Sequence, residues 1–597
     1  MGERSDEPRR LSRRTLLRRA AIAGAAFPAV AALLAACGSD DEEAATATSP
    51  AGTPTPASEP TATSEPTTPP TGGTLFEGGD RLMGQEFEEG TPGGTFVEAG
   101  AGNYSDVNFG LISARSSCNA VRMIYDCLIE PNPFTVEPVG VLAESWELSD
   151  DALTWTFYLR QGVMFHDGEE MTADDVLFSY GWLMDETFNT PYYTTLNENI
   201  SAIDKIDDYT VAFTAPGVIP DFPFNAAIYM IVAEHVLGGM AAADYQSSGA
   251  STGADPAMVV GTGPFKLLEL VPEDHLTLVR NEEYWDGAPY LETYIYRGAA
   301  DGQSAITALL SGEADFVWEI QLTAIEQLEE AGFALAFWKA LGYDILQFNL
   351  DPERTTLFQD VRVRQALMYA LDRQAMTDAA YEGVGGEVAN SLLVRTSAYV
   401  DPERITVEYA YDPDQAMALL DEAGWLPGDD GVREKDGQKL SFTVVAPSDW
   451  EPMINEFTVA QEQWRQIGVE AVSDLTPFET MLERVGNRDY DAVIYDFPSR
   501  LTPDVSFFYK CGAPSNVNSY CNPEVDAVLD EARVELDQDR RIELYHQFQN
   551  LVLADLPMLP LMYVNGYSAT SPRVRNPPYV DTLCNYWYAV EKIWVEE

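Results

Sequence analysis

The chain of 597 residues is 46% hydrophobic and 22% charged, with 96 acidic against 36 basic side chains and a formal net charge of −60. Such a length exceeds a single hydrophobic core, so at least two lobes are expected. The carboxylate excess argues against a nucleic-acid partner, whose phosphates it would repel. Spread along the whole chain, it describes a solvated acidic surface more than a patch for a cationic ligand.

The N-terminus carries targeting signals. Arg13 and Arg14, within Ser12-Arg13-Arg14-Thr15-Leu16-Leu17-Arg18, precede an apolar, Ala-rich run over residues 20–34, and Leu34-Ala35-Ala36-Cys37 closes it. A basic head, a short apolar run and small residues at the cut make an export signal, too short for a stable membrane span. Leu34-Ala35-Ala36-Cys37 resembles a bacterial lipobox, whose Cys is acylated and becomes the new N-terminus. The arginine pair resembles a twin-arginine signal, which exports folded proteins. Residues 1–36 are therefore expected to be a lipoprotein signal peptide. Cys37 would hold the mature protein by lipid to the outer face of the cell membrane, or in the periplasm; an incidental Cys in a basic anchor is the alternative. Every residue from 44 to 74 is Ala, Thr, Ser, Pro, Gly or Glu, a composition that cannot offset its own ordering entropy. With the looser stretch 75–92, residues 37–92 are expected to form a disordered tether.

The body opens with a strand at Gly94-Thr95-Phe96-Val97. Leu153, Trp155, Phe157 and Leu159 alternate along a second strand and should share a buried face. Thr172-Ala173-Asp174-Asp175 reads as a helix N-terminus, Thr172 capping and Asp175 reaching back. Asp412-Pro413 starts another helix that Gly424 is placed to end. Asn522-Pro523 opens a third, with Val525, Val528, Leu529 and Ala532 on one stripe. Residues 440–444 and 491–495 read as strands, and the mixture predicts α/β lobes.

With Cys37 taken by lipid, Cys118, Cys127, Cys511, Cys521 and Cys584 remain and cannot all pair internally. The turn-rich Gly512-Ala513-Pro514-Ser515-Asn516 makes Cys511 and Cys521 the first candidate disulfide. His166, His235, His275 and His546 are far apart, no Cys-x-x-Cys or His-Glu-x-x-His spacing occurs, and no Gly-rich loop is followed by a phosphate-binding Lys. Neither a metal site nor a cofactor is expected. Gly249-Ala250-Ser251-Thr252-Gly253 has the spacing of a hydrolase nucleophile elbow. Polar residues 243–248 precede it and Asp255-Pro256 follows, where that motif needs a strand and a helix. The expectation is a protein that is not an enzyme, with a secreted serine hydrolase acting through Ser251 as the alternative from another class.

Leu142-Ala143-Glu144-Ser145-Trp146-Glu147, Thr156-Phe157-Tyr158-Leu159-Arg160-Gln161-Gly162-Val163 and Phe165-His166-Asp167-Gly168 are followed by Gly261-Thr262-Gly263-Pro264-Phe265. Arg280-Asn281-Glu282-Glu283-Tyr284-Trp285, Ser311-Gly312-Glu313-Ala314-Asp315, Ala370-Leu371-Asp372-Arg373 and Leu419-Leu420-Asp421-Glu422-Ala423-Gly424-Trp425 come later. In this order, from residue 93 to the C-terminus, they resemble the signature of solute-binding protein family 5, the oligopeptide, dipeptide and nickel class. The resemblance implies a periplasmic-binding-protein-like fold, two α/β lobes on a hinge with the ligand enclosed between them. Lobe I would comprise residues 93–130, 256–340 and 562–597, an inserted subdomain residues 131–255, and lobe II residues 341–561. The hinge would lie near Leu341-Gly342-Tyr343 and Leu561-Met562-Tyr563. Such a protein captures a small ligand and delivers it to the permease of an ABC importer, whose ATPases supply the energy. A peptide or peptide-like solute is the first reading and an oligosaccharide the second; a monomer is expected.

Most motif residues define the fold. Trp146, Trp155 and Phe157 read as core, His166-Asp167-Gly168 as a turn, and Arg362 and Arg364 as pairing or capping groups. Family placement offers Asn103, Tyr104, Tyr192, Trp318 and Tyr343 as ligand contacts. Peptide-binding relatives hold the peptide's α-amino group with an Asp that follows a strand like Tyr490-Asp491-Ala492-Val493-Ile494-Tyr495. Ungapped placement puts Arg500 at that position, where it would read an anionic group instead; a shift in the loop would give the amine to Asp496 or Asp504.

Overall fold

The computed structural model describes residues 74–77, 86–101, 104–110, 115–132, 135, 137–381, 385–393, 398–497, 502–580 and 587–596. The expected export signal, Cys37, most of the expected tether, Asn103, Arg500, Cys584 and the Cys118 side chain lie outside the described residues.

In chain order, β1 (Thr74–Glu77) and β2 (Thr95–Ala101) precede α1 (Arg115–Ile124). Then come β3 (Ala143–Leu148), β4 (Thr154–Leu159), α2 (Ala173–Leu183), β5 (Ala202–Asp207), β6 (Thr210–Thr214) and the short α3 (Phe222–Ala226). A five-stranded sheet runs β1-β3-β4-β6-β5. Its edge corrects the expected tether, because Thr74–Glu77 pairs antiparallel with β3 from Thr74↔Leu148 to Glu77↔Ser145. Leu75 and Phe76 are the first large apolar residues after the Pro/Thr/Ala run, and the open edge of β3 offers their backbone partners.

Next come β7 (Phe265–Val271), β8 (His275–Arg280), β9 (Thr293–Ala299), β10 (Phe316–Val317) and the long β11 (Ala334–Phe348). They lead to α4 (Val361–Tyr369), α5 (Arg373–Tyr381), β12 (Gly386–Val388), α6 (Pro413–Glu422), β13 (Ser441–Pro447) and α7 (Glu451–Gln466). The chain ends through β14 (Glu470–Thr476), β15 (Ala492–Phe497), α8 (Pro523–Ala532), α9 (Gln538–Asp555) and β16 (Met558–Thr570). A mixed sheet of eleven strands runs β14-β13-β15-β11-β16-β10-β2-β9-β8-β7, with β12 also beside β16.

Separate hydrophobic cores make this a two-lobed α/β protein. One core gathers Phe96, Trp146, Phe157, Phe213, Phe222 and Tyr294; two others, around Phe348, Phe442 and Trp464 and around Tyr343, Tyr399 and Tyr545, belong to the second half of the chain. β11 and β16 thread both halves. They pair antiparallel from Ala334↔Thr570 to Gln347↔Met558, and the ladder is irregular between Lys339 and Tyr343 and again between Asp344 and Ile345. At one end Ala569 packs with Ile306 and Leu309, and at the other Tyr343, Ile345 and Tyr563 pack with Phe497 and Tyr509.

Local signals behave as their chemistry predicts. Trp146, Trp155 and Phe157 are buried. Thr172 and Asp175 form a reciprocal capping box, with the Thr172 N–H donating to Asp175 Oδ2 at 2.9 Å. Asp412 caps α6, Gly424 ends it in the left-handed region at φ 87°, and α8 buries Val525, Val528, Leu529 and Ala532.

Candidate functional site: the junction of two lobes

Most of the signature motifs bind one another. His166 Nε2 donates to the Gly263 carbonyl at 3.0 Å while its Nδ1 accepts from the Gly261 N–H at 3.3 Å. Burial lowers its pKa to about 4, so the ring is neutral at pH 7. Gly261 and Gly263 lie against the end of α1: a Cβ on either would stand 2.0 Å from the Ile124 carbonyl oxygen or 2.5 Å from that of Met123, so only glycine fits. Asp126 Oδ2 accepts from Thr262 Oγ1 at 3.1 Å and from Trp285 Nε1 at 3.0 Å, and the Arg160 guanidinium lies 4.9 Å from the Trp285 ring. Asp315 takes Arg573 bidentately at 2.5 and 2.6 Å and the Val97 N–H at 3.0 Å, which ties three distant stretches of chain together. In the second half, Arg362 pairs with Asp360 at 2.6 Å, and Arg364 Nε donates to the Asp555 carbonyl at the end of α9 at 2.7 Å. These residues build the scaffold.

Beside the crossing strands lies a carboxyl cluster that sequence reasoning missed. Asp344 on β11 stands opposite Asp496 on β15, and Glu456 reaches the same place from α7. Asp344 and Glu456 are fully buried. Tyr381 O–H donates to Asp344 Oδ2 at 2.8 Å, whereas Asp344 Oδ1 and both Glu456 oxygens meet no donor apart from the carboxyl pair itself. Burial raises the Asp344 pKa to about 6, moderated by hydrogen bonds from Glu456 and Tyr381. Burial, then the charges of Asp344 and Asp496, raise that of Glu456 well above the usual carboxylate range. A protonated Glu456 sharing its proton with Asp344 satisfies this geometry. Among the described residues, no group of three or more His, Cys, Asp or Glu side chains is placed to hold a metal ion.

The family-placed contacts are spread over both halves and are mostly covered. Tyr104 is buried edge-on to Tyr296 at 4.4 Å. Trp318 is buried in the first core. Tyr343 is fully buried, its O–H donating to the Leu392 carbonyl at 3.2 Å and its ring 5.4 Å from Phe497. Tyr192 keeps part of its surface and packs 5.0 Å from Tyr229. Tyr104, Trp318 and Tyr343 turn almost no surface outward, and each packs within the core of its own half of the chain. Asp504, one alternative to Arg500, is already engaged, accepting from Arg533 Nε and from the Ser506 N–H, each at 3.0 Å.

Two further readings meet the structure directly. Ser251 is 1% exposed and lies in a four-residue helix, Gly249–Thr252; its N–H donates to Ser248 Oγ at 3.2 Å and its carbonyl accepts from the Val107 N–H at 2.9 Å. That is no strand–turn–helix elbow with an exposed hydroxyl, and the hydrolase alternative loses its nucleophile. Cys511 and Cys521 are joined, with Sγ–Sγ 2.13 Å and Cα–Cα 4.4 Å. The ion pair of Asp221 with Arg541 carried no sequence signal, because its partners lie 320 residues apart in chain segments without a motif.

A two-lobed α/β body threaded by two long strands, with a scaffold built from these motifs, defines the class of extracellular solute-binding proteins. The sequence profile of bacterial extracellular solute-binding proteins, family 5 (middle region), matches residues 137–519, and the chain belongs to this family. It is 28% identical over 515 residues to the oligopeptide-binding protein AppA of Bacillus subtilis, covering 84% of this chain and 92% of that one. To the dipeptide-binding protein of Escherichia coli it is 27% identical over 516 residues, covering 81% and 91%. The solved structure of B. subtilis AppA with a nonapeptide superposes with a TM-score of 0.66 at 27% identity, over 85% of this chain and 100% of that one. Among the described residues, no helix is long and apolar enough to cross a membrane.

Proposed function

We propose that this protein captures a peptide or peptide-like solute between its two lobes outside the cytoplasm and presents the closed, loaded form to an ABC importer permease. The observation that carries the reading is the near full-length match to an oligopeptide-binding protein, combined with lobes joined through β11 and β16. Ligand that contacts both lobes only when they are closed shifts the population toward the closed form, and that is what a permease can read. The lobes are those drawn from the sequence, with the subdomain 131–255 riding on lobe I. Cys37, acylated after removal of residues 1–36, anchors a monomer, and the Pro/Thr/Ala tether lets the body reach its permease.

The ligand contacts in this proposal are Asn103, Tyr104, Tyr192, Trp318, Tyr343 and Arg500. A thermal-shift screen with peptides of two to nine residues, followed by calorimetry, tests it. A ligand-dependent rise in melting temperature without turnover is expected. Failure of every peptide length to bind correctly folded protein would overturn it. Cys37→Ala should move the protein out of the detergent phase in a non-ionic-detergent partition without altering its melting temperature.

A further inference from the structure

The ion pair between Asp221 and Arg541 joins two hydrophobic cores that share no buried residue. Asp221 immediately precedes α3, whose Phe222 packs with Trp155 and Phe213. Arg541 lies in α9, whose Leu544 and Tyr545 pack in the core of Tyr343 and Tyr399. The guanidinium takes the carboxylate bidentately: Nη1 donates to Oδ1 at 2.7 Å and Nη2 donates to Oδ2. Nη1 also donates to Tyr399 Oη at 3.0 Å, and Nε to the Ala532 carbonyl at 3.2 Å. The Tyr399 and Tyr545 ring centroids each lie 5.6 Å from the guanidinium carbon. The Arg541 and Asp221 side chains are 4% and 11% exposed. Burial works against the Arg541 charge, and the Asp221 carboxylate more than offsets it, so its pKa is held above the ordinary value.

The asymmetry of this arrangement is informative. The second half of the chain builds a cage of two tyrosines and a carbonyl around Arg541, yet the carboxylate that pairs with it arrives from the other core. Parting the lobes would withdraw Asp221 and leave a guanidinium with aromatic faces and neutral acceptors. Removing one partner of a buried, bidentate pair is far costlier than removing an exposed one. A contact that forms only in the closed arrangement contributes its whole free energy to closure.

We infer that Asp221 and Arg541 are a clasp between the lobes. They act as positioning residues that set how much of the ligand-free protein is already closed, and so set ligand affinity without touching ligand. This rests on the lobe-closure reading above. A clasp raises the closed fraction before ligand arrives, and apparent affinity rises with that fraction.

Small-angle scattering of the ligand-free full chain tests it without reference to any ligand. Asp221→Asn keeps the shape of the side chain and removes its charge. The closed-to-open ratio should fall by about 30-fold or more, seen as a radius of gyration larger than that of the wild type. Tyr399→Phe, which removes one acceptor of Arg541 and leaves the pair, should give a smaller rise and carries the test if Asp221→Asn does not fold. Radii equal to wild type for the folded variants would overturn the clasp and make the pair a static strut. Failure of the peptide reading is seen separately, as absence of peptide binding to the wild type whatever the radii.

Discussion

Tyr343 and Tyr563 stand opposite each other in the β11–β16 ladder, their ring centroids 6.0 Å apart and their planes at 72°. Both are buried in the core of the second half of the chain. The ladder is irregular from Lys339 to Tyr343, and the regular pairing on the other side of that irregularity belongs to the first half. The tyrosine pair therefore stands at the edge of that irregularity, where paired hydrogen bonds lapse.

Gly342 lies in that short stretch. A Cβ there would stand 2.5 Å from Asp496 Oδ1 and 3.1 Å from the Phe497 carbonyl oxygen. Gly342→Ala should destabilise the fold by about 1–3 kcal/mol through overpacking of the β11–β15 ladder. Urea denaturation checks it, and unchanged stability would mean that Asp496 can move aside.

The Asp344–Glu456 pair predicts a pH dependence. Burial raises both carboxyls in the folded state, Asp344 to about 6. The folded protein therefore holds protons that the unfolded chain has released. The stabilising contribution is complete below the unfolded carboxylate values near 4 and is lost as pH rises, through about 6 for Asp344 and beyond it for Glu456. Glu456→Gln keeps the size, supplies a permanent donor to Asp344 and should flatten this decline. Denaturation at pH 5 and pH 8 checks it: the variant should gain on the wild type at pH 8 by about 1–3 kcal/mol, and an identical pH slope would refute the shared proton.

Cys511 and Cys521 close a loop ten residues apart in sequence. Cys511→Ser should destabilise the protein by about 2–3 kcal/mol, the chain-entropy expectation for a short loop. Melting curves with and without reductant should differ for the wild type and coincide for the variant.

If Arg500 reads an anionic group of the ligand, Arg500→Ala should weaken binding of a peptide bearing that group by about 30-fold or more, the loss expected for one partner of a desolvated pair. Its melting temperature should stay near that of the wild type. Wild-type affinity in calorimetry would assign the arginine to the surface and direct attention to Asp496 and to Asp504, the latter paired with Arg533.

The local elements and the family are legible in the residues alone. Thr172 with Asp175, Asp412 with Pro413, and Asn522 with Pro523 specify helix starts through hydrogen bonds and backbone restrictions within four residues, so no distant partner is needed. The alternation of Trp155, Phe157 and Leu159 specifies a buried strand face for the same reason. The ordered motifs were legible as a family signature, although their glycines needed the structure to show that Gly261 and Gly263 are small because the end of α1 lies against them. Which side chains meet across long separations follows from the packing of the sheets and helices. Asp344 joins Glu456 across 112 positions, and Asp221 reaches Arg541 across 320. Each residue alone reads as an ordinary charge in an acidic chain, because burial and partnership at that range depend on how whole sheets stack. The same limit covers the aromatic contacts. Family placement marks Tyr104, Tyr343 and Trp318 as ligand contacts, but the packing within each core determines whether such a ring faces a ligand or its neighbours.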